Sequence, residues 1–289
     1  MKSTAKRAMA LPFSATKFDS SSYSAYRPSY GPALYNQLYA YHKGDHDLAV
    51  DIGCGTGQIT SIIAPKFKKV YGFDTSAKML ESATKAENIV YEVGNAEDLP
   101  LLKDSSVDLV TVGQAAHWFN FETWFKEMHR ILKPNGTLSF WSYNEIQFTD
   151  LPKGSEIFAK YSHAEDALGP YWPQPGRSIL ETGMEGVDPP AGLFRDIERH
   201  YTAQKGSKAP SPVSKPQVPL PMLEHYFRTT AAFHNWKEAN PQTKARKEGG
   251  EGDVIDQMLD DIKKEGGWSD DEKVNVHWPT VAVLARPKK

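Results

Sequence analysis

From residue 48 to 143, short runs of apolar residues alternate with segments in which apolar positions recur at helical spacing. Leu48–Ile52 is an apolar strand interrupted by Asp51. Gln58–Phe67 places Ile59, Ile62 and Ile63 on one helical face. Lys69–Phe73 predicts a second strand ending at Asp74, Ser76–Lys85 a helix, and Ile89–Val93 a third strand. Val107–Val112 follows as a fourth strand and Phe121–Leu132 as a helix. The turn Pro134-Asn135-Gly136 then leads into a fifth strand, Thr137–Tyr143. Strands that alternate with helices predict an α/β, doubly wound, mostly parallel sheet covered on both faces. Ligands of such sheets bind beyond the carboxyl ends of the strands, at the topological switch point.

Beyond residue 145 the periodicity weakens. Residues 146–200 hold short helical candidates and a turn-rich run over residues 169–177. Five prolines among lysines and serines over 205–221 predict an exposed loop. Leu223–Glu238 predicts an aromatic-rich helix, Glu248–Trp268 a charged surface helix flanked by glycines, and Thr280–Ala285 a strand that closes the sheet. The organisation expected is a tail over residues 1–17 and a single domain over 18–289. Its ligand-binding core spans 45–143, followed by substrate-covering insertions over 145–270.

Composition narrows the function. With 289 residues, 39% hydrophobic content and 7 Trp, 13 Tyr and 13 Phe, the chain can fill a large core. A formal charge of −2 supplies no basic face for nucleic acid. Cys54 is the one cysteine, which excludes an intramolecular disulfide and a cysteine-rich zinc site, and no metal is expected. No stretch approaches the roughly 18 apolar residues of a membrane span, and no signal-peptide core is present. Residues 1–17 carry Lys2, Lys6, Arg7 and Lys17 without an acid. A mitochondrial presequence shares that bias, but a solvated tail on a cytoplasmic protein is the expectation. The oligomeric state is left open.

The chemistry concentrates after the strands. Gly53, Gly55 and Gly57 form a G-x-G-x-G turn between the first strand and its helix. The spacing differs from the dinucleotide fingerprint, and no Gly-Lys-Ser/Thr follows. Asp74, 17 residues after Gly57, reads as an acceptor for ribose hydroxyls or as a helix N-cap. Asp51, near a buried strand end, needs a partner. Either a cationic amino group of the ligand, direct or through water, or backbone donors would serve. Asn95, Ala96 and Glu97 border an adenine edge or form a plain connection. The Gln114–Phe119 run brings Gln114, His117 and Trp118 to the end of the fourth strand.

Taken in this order, the four elements resemble the motifs of S-adenosylmethionine-dependent methyltransferases with a Rossmann-like fold, over about residues 45–143. That resemblance implies a seven-stranded sheet with a partly helical cap from the N-terminal segment and the 145–270 region. It also implies a glycine loop cradling the methionine part of S-adenosylmethionine, with S-adenosylhomocysteine as the product. Asp74 would hold the ribose, Asn95 to Glu97 would border adenine, and Gln114 would complete the cofactor site. Met79 would pack on adenine or belong to the core. Outside this region the chain is similar to fungal trans-aconitate methyltransferases and cantharidin-resistance methyltransferases. The matching pieces are Tyr23-Ser-Ala-Tyr26-Arg27-Pro28-Ser-Tyr30, Gln114–Phe119, Leu168-Gly-Pro-Tyr-Trp172 with Pro175-Gly176-Arg177, and Tyr226-Phe-Arg228-Thr229 with Trp236. The 205–221 stretch is less regular than in that group.

The implied reaction is an in-line displacement at the sulfonium methyl group. The implied partner is a small di- or tricarboxylic acid, which becomes a methyl ester. A carboxylate, with a reference pKa of about 4, is already ionised at neutral pH and needs no base. Alignment then carries the catalysis. Tyr23, Tyr26, Trp118 and Trp172 would line a dry pocket or pack in the core. Arg27, Arg177 and Arg228 would anchor carboxylates or form surface salt bridges. His117 would serve as base if the acceptor were a phenol or alcohol, and otherwise is a hydrogen-bonded loop histidine. A non-catalytic S-adenosylmethionine-binding protein is the remaining alternative.

Overall fold

The computed structural model describes residues 26–203 and 209–289; Tyr23 and the 1–17 tail lie outside them. The chain divides into two compact units. The larger comprises Pro28–Asn144, Ile179–Ser214 and Trp278–Lys289 and carries the sheet.

Seven strands build it: β1 (Leu48–Ile52), β2 (Lys69–Asp74), β3 (Ile89–Val93), β4 (Val107–Gly113), β5 (Leu132–Tyr143), β6 (Phe194–Thr202) and β7 (Thr280–Pro287). Their order is β3-β2-β1-β4-β5-β7-β6. β1 to β5 pair in parallel, and β7 runs antiparallel to both β5 and β6. This is the mostly parallel, Rossmann-like α/β sheet that the alternating pattern predicts. Helices α1 (Pro32–Tyr41), α2 (Gln58–Ile63), α3 (Ala77–Glu81) and α4 (Phe121–Ile131) accompany it. α4 begins where the Asn120 side chain accepts from the Thr123 N–H at 3.3 Å. It buries Trp124, Phe125, Met128 and Ile131 against Val110, Val112, Phe140 and Val283 in the main core. The chain reverses its direction of winding between β1 and β4, so the glycine turn after β1 opens at the switch point.

Several sequence expectations are corrected. The pattern supplied six strands, and the seventh, β6, was missed. Its sequence Phe-Arg-Asp-Ile-Glu-Arg-His-Tyr-Thr buries only Phe194 fully, because a charged edge strand carries no continuous apolar run. The terminal strand therefore lies inside the sheet rather than closing it. α2 stops at Ile63, followed by a 3-10 turn containing Pro65, and Ile62 faces solvent while Thr60 is buried. The helix expected to reach Lys85 ends at Glu81. The Pro134-Asn135-Gly136 turn sits within β5 as an irregularity, where pairing moves from Val107 with Leu132 to Leu109 with Thr137.

Among the described residues the second unit comprises residues 26–27, Glu145–Ser178 and Lys215–His277. Its described helices of nine residues or more are Pro152–His163, Leu220–Arg228, Ala231–Ala239 and Val254–Gly266. A small sheet places Lys273–His277 between Gln147–Phe148 and Ser214–Pro219. The single helix expected over Leu223–Glu238 is two. Thr229 and Thr230 hydroxyls donate to the carbonyls of Tyr226 and Phe227, and Thr230 caps the next helix. The Glu248–Trp268 segment is helical only from Val254, where Asp253 accepts from the Ile255 and Asp256 N–H groups. That helix buries Val254, Ile255, Met258, Leu259 and Ile262, so it is a packed element rather than a surface one. The proline-rich loop ends in the Ser214–Pro219 strand, an outer position that tolerates proline. Among the described residues no helix is long and apolar enough to cross a membrane.

Candidate active site

The glycine loop is assembled by β1, β2 and α2. Gly53, Gly55 and Gly57 all take left-handed φ values, +64°, +54° and +78°. At Gly53 a side chain would run into the Ala115 methyl group, so glycine is required by space as well as by φ. At Gly55 a Cβ would meet only the Met79 Cε, at 3.1 Å, and otherwise open space. This is the side on which a ligand can approach the backbone. The Cys54 N–H donates to the Phe73 carbonyl at 3.0 Å and fixes the loop against β2.

Asp74 at the end of β2 holds the loop from the other side. Its Oδ2 accepts the Gly55 N–H at 2.8 Å and its Oδ1 the Ser76 N–H at 2.9 Å. Burial raises its pKa, while the bonds from Ser76 and Gly55 act in the opposite sense. The α3 cap is Ser76, whose hydroxyl accepts the Met79 N–H at 3.3 Å, so Asp74 is not the N-cap. Each carboxylate oxygen accepts more than one donor, which leaves Asp74 acceptor capacity for hydroxyl groups. Met79 is buried beside Gly55. These glycines, the acidic acceptor and the buried thioether beside the open face suit a nucleoside bearing a methionine chain.

Asp51 has the partners that its burial requires. It is fully buried, with Oδ2 accepting from the Thr60 hydroxyl at 2.6 Å and Oδ1 from the Thr111 hydroxyl at 2.9 Å. With a further bond from the Thr60 backbone, the partner its burial demands is found among backbone and side-chain donors, and it ties β1 to α2 and β4. Burial pushes its pKa from 3.8 up to about 7, against the pull of the two threonine hydroxyls. Between those values the folded chain keeps a proton that the unfolded chain has released. Its stabilising contribution is thus complete below pH 3.8 and is lost as pH rises through about 7. In Asp51→Asn the fall in melting temperature across that window is expected to flatten. Parallel thermal melts test this, and an unchanged slope would show that Asp51 is not the group responsible.

The next two segments are also braced internally. Asn95 is exposed and bridges to Asp98, Ala96 is buried, and Glu97 accepts the Asn120 N–H at 2.7 Å, tying its loop to the start of α4. Gln114 departs from the expected ligand role of its side chain. Its amide donates to the Tyr143 carbonyl at 3.2 Å and accepts the Tyr143 N–H at 2.8 Å, which extends the β4–β5 ladder by one side chain. Its φ of +53° turns the chain into Ala116–Trp118. There His117 is buried with its ring 4.4 Å from that of Trp118, and Trp118 is half-buried.

The remaining candidates belong to the second unit. Arg177 is buried and its guanidinium lies 4.3 Å from the Trp172 ring centre. It donates to Glu145 Oε1 and, at 3.2 Å, to Ser162 Oγ. The Trp172 indole N–H donates to the Ser162 carbonyl at 2.9 Å. Arg27 donates to the Thr229 carbonyl at 2.8 Å and lies over the Tyr226 ring. Tyr26 stacks on His225 at 4.4 Å. Arg228 is corrected as an acid anchor. Its guanidinium is held by Glu224, Asp253 and Asp256, of which Asp253 is fully buried, and three carboxylates leave it structural. Thr60, Thr111, Glu145, Ser162 and His163 were not picked out from sequence. Their partners stand 9 to 60 residues away with no spacing that marks them.

Comparison with known proteins bears on the same loop. The family model described as a methyltransferase domain matches residues 50–140, the segment carrying β1 to β5 and the glycine turn. The Saccharomyces cerevisiae CRG1 protein, named as an S-adenosylmethionine-dependent methyltransferase, is 29% identical, covering 94% of this chain and 97% of its own length. A Dictyostelium discoideum protein named as a methyltransferase is 37% identical over 180 residues, 60% of this chain and 67% of that one. In fold, a protein described as a type II methyltransferase from Anaeromyxobacter dehalogenans superposes with a TM-score of 0.68. It is 22% identical, over 90% of this chain and 97% of that chain. On these similarities the chain belongs to the S-adenosylmethionine-dependent methyltransferases.

Proposed function

We propose that this enzyme O-methylates a carboxylate of a small di- or tricarboxylic acid, trans-aconitate in kind, to give a methyl ester. The observation that carries the reading is Arg177. A buried guanidinium, stacked on Trp172 and already bonded to a carboxylate, is preorganised for an acid group. Arg27, above Tyr226, is the second candidate cation.

S-adenosylmethionine supplies an electrophilic methyl group on a sulfonium and leaves as S-adenosylhomocysteine. The Gly53–Gly57 loop would hold its methionine end, and Met79 would pack on its adenine. Asp74 would accept its ribose hydroxyls, and the Asn95–Glu97 segment would border its adenine. A carboxylate acceptor, with a reference pKa of about 4, arrives ionised, so the chain must orient an oxygen rather than remove a proton. Arginine anchors suit that task because they fix the acid without being consumed in proton transfer. Residues 145–178 and 215–277 then serve acceptor recognition.

The test is a radiolabelled methyl-transfer screen over small mono-, di- and tricarboxylic acids, phenols and alcohols. Transfer to di- or tricarboxylic acids, released as base-labile esters, is expected. Transfer confined to phenols or alcohols sinks the reading, as does binding of S-adenosylmethionine without transfer to any acid.

A further inference from the structure

Arg177 is bonded to a protein carboxylate, and that arrangement has a specific geometry. The same Glu145 oxygen, Oε1, that faces Arg177 Nη2 also lies 3.0 Å from His163 Nε2. Arg177 Nη2 is in turn 3.3 Å from His163 Nε2 and 3.2 Å from the fully buried Ser162 hydroxyl. The three groups form a triangle whose members differ in their access to water. The Arg177 side chain is 8% exposed, Glu145 15% and His163 47%. Trp172 and Ser162 restrain the guanidinium, while Glu145 already touches a second partner on the solvent side.

We propose that Glu145 is a built-in stand-in for the substrate carboxylate: it occupies Arg177 until an acid displaces it onto His163. The proposal rests on the reading of Arg177 as an acid anchor and adds two positioning residues to it. The exchange replaces one Arg–carboxylate pair by another, so no buried charge is left alone, which would otherwise be strongly unfavourable. The displaced Glu145 keeps its His163 contact and moves toward water. An incoming group must then compete with a carboxylate for the guanidinium. Anions succeed, whereas esters, amides and amines do not, so the device selects for acids.

Glu145→Gln removes the competing charge at constant shape. Its KM for trans-aconitate is expected to fall about tenfold, with kcat little changed, as for removal of a close opposing charge pair. His163→Asn withdraws the second partner and is expected to raise KM several-fold in the opposite direction. Calorimetric titration of trans-aconitate in the presence of S-adenosylhomocysteine should give the same order of affinities without turnover. An unchanged or raised KM in Glu145→Gln overturns the proposal. If thermal melts show that this variant does not fold, an unchanged KM in His163→Asn overturns it instead. Arg177→Lys separates the two levels of the argument. If it leaves acid binding at the wild-type value, or if the wild-type protein binds no acid, the anchor reading itself fails. If it weakens acid binding while Glu145→Gln does not strengthen it, only the stand-in role fails.

Discussion

Asp74→Ala is expected to weaken S-adenosylmethionine binding by about 100-fold or more, while leaving the sheet folded. The carboxylate holds the Gly55 N–H at 2.8 Å and the Ser76 N–H at 2.9 Å, so its loss frees both the glycine loop and the start of α3. A hydrogen bond to a charged group contributes about 1.5–3 kcal/mol, and about 1.4 kcal/mol is a factor of ten in affinity. Two such bonds organising the loop, with ribose acceptance added, reach the stated loss. Asp74→Asn should fall between the two, because one amide oxygen still accepts while the amide N–H2 opposes the second donor. Calorimetry with S-adenosylhomocysteine, alongside circular dichroism for the fold, is the measurement. A dissociation constant for Asp74→Ala close to that of the wild type would remove Asp74 from the cofactor site.

The second large effect is expected at Arg177. Arg177→Leu should raise KM for the acid acceptor by about 100-fold or more, since the proposed charge-assisted Arg–carboxylate pair is lost. The affinity for S-adenosylmethionine should stay near wild type, because the loop and Asp74 belong to the other compact unit. Stability will fall as well, for Glu145 loses its strongest partner. Breaking a buried pair costs about 3–5 kcal/mol, reduced here by the His163 contact. Thermal melts must therefore accompany the kinetics. An Arg177→Leu enzyme that folds and turns over acids with unchanged KM would refute the acid anchor, and loss of both ligand affinities together would mark Arg177 as purely structural.

How much of this was legible beforehand follows from how local each determinant is. The glycine turn, Asp74 and the alternation of β1 to β5 lie in one stretch where apolar runs and turn residues report the backbone directly. β6 was hidden because an edge strand with one solvated face and charged residues along it carries no apolar run. The break at Thr229–Thr230 was hidden for a different reason. A threonine hydroxyl bonds the carbonyl three residues back inside a helix as well as at its end, so the residue type alone does not mark the break.

The site divides the same way. Asp51 was read correctly as needing a partner, but the choice among ligand, backbone and side chain depended on which hydroxyls β4 and α2 bring to it. The three arginines looked equivalent in sequence, each in a family-like segment. Tertiary structure separates them: Arg228 is enclosed by three carboxylates, Arg27 lies on Tyr226, and Arg177 lies over Trp172 and bonds Glu145 and Ser162. The sequence by itself determined the strand–glycine–helix turn and the acid after the next strand, because both are set by short-range backbone requirements, and the resemblance of these motifs implied the methyl donor. How each arginine is engaged was decided only by the tertiary structure, because an ion pair depends on what else reaches the same charge, and the carboxylates that bind Arg177 and Arg228 lie 4 to 32 residues away in the chain.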